Sequence, residues 1–491
     1  MTETLANANP LETARGTGLK RVVIEPLTRV EGHGKVTLLL DEAGIVQQAR
    51  LHIVEFRGFE KFVQGRPYWE VPVMVQRLCG ICPVSHHLAA SKAFDQVIGA
   101  VLTPTAEKVR RLMHYGQVLQ SHALHFFHLA SPDLLFGFDS EPTRRNIVGL
   151  AAEHPGLARQ GVLLRKFGQE VIRVTAGKRI HGTGSVPGGV NRSVSRAERE
   201  TLRAQAGEVI EWSRTAIDLI SRVFERNLET YCEFASFPSN TLCMVRADGA
   251  LDLYHGGLRA RTADGETLFD HLDYTSYWEQ ILEEVKPWSY MKFPFLRELG
   301  PEQSWYRVGP LTRITSCDFI PSPLAEAERR AFIAFADGRA ARATLGFHWA
   351  RMIEMLHAAE VIQSLLADDD ISGDELLSQG ERQGRGVGVI EAPRGTLIHH
   401  YRVDEHDQVV RANLVVSTTH NNEAMNRAIR AVARRYIDGR TLTEGLLNHI
   451  EVAVRAFDPC LSCATHALGK MALMVELVEP DGTVAASLRR D

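Results

Sequence analysis

Arg77-Leu78-Cys79-Gly80-Ile81-Cys82-Pro83-Val84-Ser85-His86 and Asp458-Pro459-Cys460-Leu461-Ser462-Cys463-Ala464-Thr465-His466 repeat one pattern: two cysteines, two residues apart, with a histidine close behind. Two intervening residues let a turn aim both sulfurs at a single centre, a common spacing for metal ligands. On spacing alone a structural zinc site on four cysteines, a redox-metal centre and unligated thiols all remain open. Two features weigh against zinc. Zinc ribbons keep their pairs within roughly 20 residues of each other, whereas 377 residues lie between Cys82 and Cys460. A closed tetrahedral site also has no use for His86 and His466.

Outward from the first pair, Pro83 opens a helical stretch, and Pro104 to about Ala130 is a long helix with Val109, Leu112, Met113, Gly116 and Leu119 on one stripe. Another helix runs from about Leu157 to Ala176, a glycine-rich loop follows from Gly177 to Asn191, and Ser195 caps a helix reaching about Phe234. Before the first pair, Arg21–Glu25 and a hairpin across Lys35–Phe56 read as strands. The middle, Cys243–Thr315, reads only as mixed. Helices are predicted from Ser322-Pro323 and over Ala341–Ala367, strands over 386–391, 396–403 and 409–417, and helices over 422–436 and 443–457. Asp458-Pro459 breaks the last of these and leaves Cys460 in the turn behind it.

The 491 residues are 44% hydrophobic and 24% charged, ordinary values for a globular chain. A net charge of −4 argues against nucleic acid or an anionic membrane surface as partner. No apolar run approaches the roughly 18 residues of a membrane span. Residues 1–20 are polar and read as a disordered lead-in rather than a secretory signal. Seven cysteines are too few for a disulfide framework and fit reduced thiols in the cytoplasm; Cys232, Cys243 and Cys317 read as small buried hydrophobes.

The residues around the cysteine pairs resemble the two signature motifs of nickel–iron hydrogenase large subunits. Arg29-Val30-Glu31-Gly32-His33, Arg57-Gly58-Phe59-Glu60 and Glu391-Ala392-Pro393-Arg394-Gly395 match further family segments in the same order, so the resemblance covers nearly the whole chain. It is strongest to the large subunits of bidirectional, NAD-reducing soluble hydrogenases. The implied fold is α+β and mainly helical: a long central helix bundle with peripheral strands and hairpins, and the metal centre buried at the core. The implied domains are a single catalytic domain, 21–466, and a propeptide, 467–491.

The resemblance implies that Cys79, Cys82, Cys460 and Cys463 bind nickel, with Cys82 and Cys463 bridging to an iron that carries carbon monoxide and cyanide. Glu31 corresponds to a proton-relay carboxylate and Arg394 to an arginine above the open edge of the centre. Pro393 and Asp458 shape the same pocket, and His86 corresponds to a hydrogen-bond donor toward the Cys82 sulfur. Glu60, His466 and the Leu414 carbonyl correspond to ligands of a separate magnesium ion. One departure stands out. Many relatives place an aspartate where Ser121 precedes His122-Ala123-Leu124-His125-Phe126. His122, His125 and His128 read most simply as core or interface residues.

The three remaining cysteines lack iron–sulfur spacing. Gly182-Thr183-Gly184-Ser185-Val186-Pro187-Gly188 misses the dinucleotide fingerprint by one position, so no flavin, nucleotide or iron–sulfur cluster is expected in this chain. The electrons then need an iron–sulfur small subunit and, with NAD as acceptor, flavin-bearing diaphorase subunits. Maturation needs nickel-insertion factors and an endopeptidase. Two other functions compete. A respiratory-complex quinone-site subunit shares the ancestry but lacks the four thiolates, and a zinc-stabilised scaffold would hold zinc alone. A permanent terminal strand also fits the apolar run Lys470–Val478. Cleavage after His466 is the expectation: mass spectrometry of active enzyme finds a chain ending at His466, and an intact Asp491 excludes it.

Overall fold

The computed structural model describes residues 20–437, 443–465, 473–478 and 484–490. His466, most of the lead-in (1–19) and much of the expected propeptide lie outside the described residues. Strands β1 (Lys20–Ile24), β2 (Gly34–Leu40) and β3 (Val46–Ile53) form an antiparallel meander. Four long helices follow: α1 (Pro83–Val97), α2 (Pro104–Leu124), α3 (Pro155–Ala176) and α4 (Arg196–Arg226). Strands β4 (Asn240–Val245), β5 (Gly257–Arg261) and β6 (Thr267–Leu272) make a second sheet, and β7 (Ile281–Glu284) pairs with β8 (Phe293–Leu296). Helices α5 (Pro323–Ala334) and α6 (Gly346–Ala367) precede a third antiparallel sheet of β9 (Arg385–Ala392), β10 (Gly395–Val403) and β11 (Val409–Val415). Helices α7 (Asn422–Tyr436) and α8 (Glu444–Ala456) lead to the second cysteine pair. Beyond it, β12 (Leu473–Val478) and β13 (Val484–Arg490) pair with each other.

Helix dominates over strand, as the α+β reading expects. The helix starts have local causes. Pro83, Pro104, Pro155 and Pro323 stand at first positions, and Ser195 with Glu198 forms a reciprocal capping box at the start of α4. Helix α4 ends at Arg226, short of the expected Phe234. Asn227 leaves helical geometry there, and Leu228–Glu233 forms a separate turn of helix. The mixed middle proves to be the β4–β8 region.

Helices α2 and α3 pack with almost no side chain between them. A Cβ on Gly116 would stand 2.7 Å from Val171, and one on Gly168 2.7 Å from the Gly116 carbonyl. Helix α6 lies against α2 and α4 and is buried over most of its circumference. His122 and His125 on this core are each held through Nε2, by Glu354 at 2.7 Å and by the Arg455 carbonyl at 2.8 Å, while each Nδ1 is buried without a partner. Gly182 and Gly184 serve packing: added Cβ atoms would stand 2.4 Å from the Ala176 and Thr175 carbonyls.

The third sheet packs directly on α1, the helix that begins at Cys82. A Cβ on Gly388 would stand 2.0 Å from the Ala89 carbonyl and 2.7 Å from the Ala93 nitrogen. Both are backbone atoms that cannot swing aside. Gly388→Ala should therefore push β9 off α1 and cost about 2–3 kcal/mol of stability, read as a lower unfolding midpoint; an unchanged midpoint would mean the contact can relax.

Candidate metal centre

Each cysteine is placed by local geometry. Cys79 follows a 3-10 turn in extended conformation, and its sulfur accepts hydrogen bonds from the Ile81 and Cys82 N–H groups, both at 3.2 Å. Cys82 caps α1, with Pro83 as first helical residue. On the other side, α8 ends at Ala456 and Asp458 takes a left-handed turn (φ 52°). The chain then runs parallel to the segment of Glu31, forming a bridge between Glu31 and Cys460 in which the Leu461 N–H donates to the Glu31 carbonyl at 2.9 Å. Gly32 permits this approach. Its φ is +84°, and a Cβ would lie 2.6 Å from the Ser462 nitrogen.

The four sulfurs meet. All lie within 4.8 Å of one another and all are buried. Cys79 and Cys460 are 3.1 Å apart, Cys82 and Cys463 3.6 Å, and Cys460 and Cys463 2.7 Å, each longer than a disulfide bond. Among the described residues this is the one cluster of metal-ligating groups. Cys232, Cys243 and Cys317 are buried elsewhere.

Burial works against charge on Cys79, but hydrogen bonds from the Cys460, Cys463 and Cys82 thiols and the nearby Arg394 guanidinium hold its thiol well below the usual range. Burial drives Cys460 and Cys463 well above it. Only part of the set can ionise in the bare protein. Bound metal cations would strip the remaining protons, so the donor set fits soft metals that want several thiolates. A space of about 10 Å³ lies beside Cys82, Cys460, Cys463, Arg394 and Pro393, room for about one water-sized group.

Arg394 is fixed by Asp458. Its Nε donates to the Asp458 carbonyl at 2.6 Å and its terminal nitrogen to the Asp458 carboxylate at 3.1 Å. Its other terminal nitrogen faces the Ser121 hydroxyl at 3.5 Å, so the serine stands where the expected aspartate would have met the guanidinium. Glu31 Oε2 lies 3.0 Å from the Cys460 sulfur and accepts the Ser462 N–H at 3.2 Å. Burial, then the Cys79 charge, raises the Glu31 carboxyl. His86 stands in the pocket wall with Cys82, and its Nδ1 is 3.1 Å from Nε2 of His399.

Two groups escaped the sequence reading. Arg313 is fully buried and holds Glu354 (2.5 and 2.6 Å), Glu391 (2.8 Å) and the Ala392 and Pro393 carbonyls (3.0 and 3.3 Å), which ties down the strand end that presents Arg394. Arg351 donates to the Ala456 carbonyl at 3.1 Å, just before the second cysteine pair. Neither sits in a recognisable motif. Their partners are 41 to 105 residues away, which leaves no local signal.

At the expected magnesium site, Glu60 Oε1 accepts the Leu414 N–H at 2.8 Å and the Lys292 ammonium at 2.9 Å. The Leu414 N–H thus brings the Leu414 backbone, whose carbonyl is the expected ligand, next to Glu60. Lys292 also reaches Glu283 (3.4 Å) and Asn413 (3.1 Å), and Glu283 keeps a second, buried oxygen without a partner. Two carboxylates against one ammonium leave excess negative charge and a spare acceptor, which fits a hard cation.

A family model described as nickel-dependent hydrogenase matches residues 57–135 and 244–466, and one described as HoxL-like matches 21–56. The chain belongs to the nickel-dependent hydrogenase family. This hydrogenase chain is 48% identical over 479 residues to the NAD-reducing hydrogenase HoxS subunit beta of Cupriavidus necator, covering 94% of this chain and 98% of that one. It is 41% identical over 454 residues to an F420-non-reducing hydrogenase chain of Methanothermobacter thermautotrophicus, covering 91% and 95%. The crystal structure of an NAD+-reducing NiFe-hydrogenase in the H2-reduced state superposes with a TM-score of 0.90 at 60% identity, covering 91% of this chain and 99% of that one. The chain is accordingly the catalytic large subunit of a nickel–iron hydrogenase, with its four cysteines gathered as the motifs required.

Proposed function

We propose that this hydrogenase subunit splits H2 reversibly into hydride and proton at a nickel–iron centre held by Cys79, Cys82, Cys460 and Cys463, with Cys82 and Cys463 also reaching the iron. The electrons pass to an iron–sulfur small subunit and on to NAD+ at a flavin-bearing partner, in the cytoplasm. The carrying observation is the convergence of four buried thiols within 4.8 Å. The NAD assignment rests on the likeness to NAD-reducing relatives. Among the described residues no helix is long and apolar enough to cross a membrane.

Cys79, Cys82, Cys460 and Cys463 would hold the centre, which, with carbon monoxide and cyanide on its iron, would supply the Lewis acidity for heterolysis of H2. The chain's own residues manage the proton and the pocket. Glu31 Oε2 lies 3.0 Å from Cys460 Sγ, within reach of a proton released at that sulfur, which supports Glu31 as the acceptor. From Glu31, Ser462 leads outward: its N–H binds Glu31, and its hydroxyl donates to Glu55 at 3.3 Å. Glu55 in turn pairs with the exposed His33. Arg394, held by Asp458, aims positive charge at the small space beside the sulfurs, where it can orient a diatomic ligand and keep it from water. His86 and Pro393 line the wall of that space.

Glu60, with Leu414 and His466, would hold magnesium beside Lys292 and Glu283. Removal of the segment after His466 by a maturation endopeptidase, once nickel-insertion factors have acted, is supported by β12 and β13, which among the described residues pair only with each other.

Two measurements test the assignment. Purified protein should contain nickel and iron and show infrared bands of carbon monoxide and cyanide; zinc alone, with no such bands, overturns it. Glu31→Gln should keep both metals and those bands but lose H2/D+ exchange by about 100-fold or more. Wild-type exchange in that variant removes Glu31 from the proton path.

A further inference from the structure

The face of the β9–β11 sheet turned away from α1 buries Val389, Ile398 and Val415 at one end and carries, at its exposed end, charges that the hydrogen reaction does not use. In register, Arg385 lies opposite Arg402, and Arg402 lies opposite Arg411. Three guanidinium side chains thus stand in a row across three strands, spaced roughly 5 Å apart. Like charges directly opposite each other destabilise a sheet, and a neighbouring carboxylate usually offsets them. Among the described residues, none of the three forms an ion pair. Two residues along, and therefore on the same face, Val387, His400 and Asn413 form the next row.

Both rows line a surface cavity of about 1010 Å³. Trp278 stands in it, with the Arg385 guanidinium 4.6 Å over its ring and the His400 imidazole stacked at 5.2 Å. The ring is already engaged on this side, which leaves charge as the main recognition element. His400 Nε2 is buried without a partner. The Tyr277 hydroxyl takes a hydrogen bond from Asn413 and faces His400 Nδ1 at 3.5 Å, an arrangement that leaves the ring proton on Nε2. Burial, with the fields of Arg385, Arg411 and Arg402, lowers His400 to about 4, so at neutral pH it adds no charge of its own to the cavity wall. One carboxylate lines the cavity, Glu283; its Oε2 is held by Lys292 at 3.4 Å and Asn413 at 3.1 Å, on the side away from the three arginines in the strand register.

We propose that this cavity binds a multiply charged phosphoryl anion whose oxygens bridge Arg385, Arg402 and Arg411. Guanidinium forks match phosphoryl oxygens in pairs. A concave cavity favours a small ligand over a flat protein surface. A free oligophosphate and the phosphate chain of a nucleotide share this chemistry. The site has no glycine-rich loop opening a helix and is unrelated to the dinucleotide fingerprint sought in the sequence.

The test is made on the assembled complex, by calorimetric titration and thermal unfolding with tripolyphosphate, ATP and poly-glutamate. Tripolyphosphate should bind saturably and raise Tm, and Arg402→Gln should weaken that binding at least ten-fold. Without anion, the same variant should unfold at a higher Tm than wild type, because the central like charge is gone. An Arg203→Gln control on an exposed turn of α4 should leave binding unchanged. ATP binding more tightly than tripolyphosphate assigns the site to nucleotides, and equal affinity assigns it to the phosphate chain alone. Absence of saturable phosphate binding overturns the proposal, as does equal affinity in Arg402→Gln or a lower Tm for that variant without anion. A response to poly-glutamate alone overturns it in favour of a docking face for an acidic protein.

Discussion

Four sulfur atoms packed into one dry space repel one another as soon as they ionise, and much of the surrounding chain manages that repulsion. The protein supplies one nearby permanent cation, Arg394, and commits much of its charge to Asp458. Two backbone N–H groups stabilise the Cys79 sulfur. These are too few to support four thiolates. The cluster is a demand for metal charge as much as a set of ligands, and its affinity and its tendency to release protons on loading have the same origin.

The scaffold that holds the ligands apart from water is itself highly charged. Arg313, between Glu354 and Glu391, is an ion triad with no exposure of any member, and its remaining donors reach the carbonyls of Ala392 and Pro393. Such a buried network is weak as a source of net stability, because desolvation consumes most of its attraction. Its geometric effect is direct. It fixes the end of β9 and the two residues before Arg394. The same logic operates on the other arm, where Arg455 and Arg29 meet at Asp133 and anchor the segments that carry Cys460 and Glu31. Arginine suits both places, since a planar fork can satisfy several acceptors at once.

Packing completes the arrangement through absences of side chain rather than additions. Gly32 lets the Glu31 segment lie against Cys460–Ser462, and Gly388 lets the third sheet press on the helix that Cys82 begins. The result brings residues from near the two ends of the chain to within hydrogen-bonding distance, as with Glu31 and Cys460. Both faces of that sheet meet core: one packs on α1, and the other buries Val389, Ile398 and Val415, so the arginine row stands only at the exposed end of this second face.

Much of the secondary structure was legible because its causes are local. Prolines at first turns, the Ser195 capping box and the Asp458-Pro459 break all act within a few residues, and the helices and the 385–415 strands appear where these signals place them. The cysteine pairs and the flanking motifs were legible for the same reason, since a metal-binding turn is a short-range object. The roles of Arg313, Glu354 and Lys292 were not, because each depends on a partner far along the chain, and the early end of α4 at Asn227 and the short strands of the middle region carried no strong local signal. The sequence by itself determined which atoms could bind metal and which family the chain resembles. Only the tertiary structure decided that the two pairs meet, that Ser121 faces Arg394, and that Lys292 stands beside Glu60, because burial and long-range electrostatics are properties of the folded arrangement and not of any local stretch.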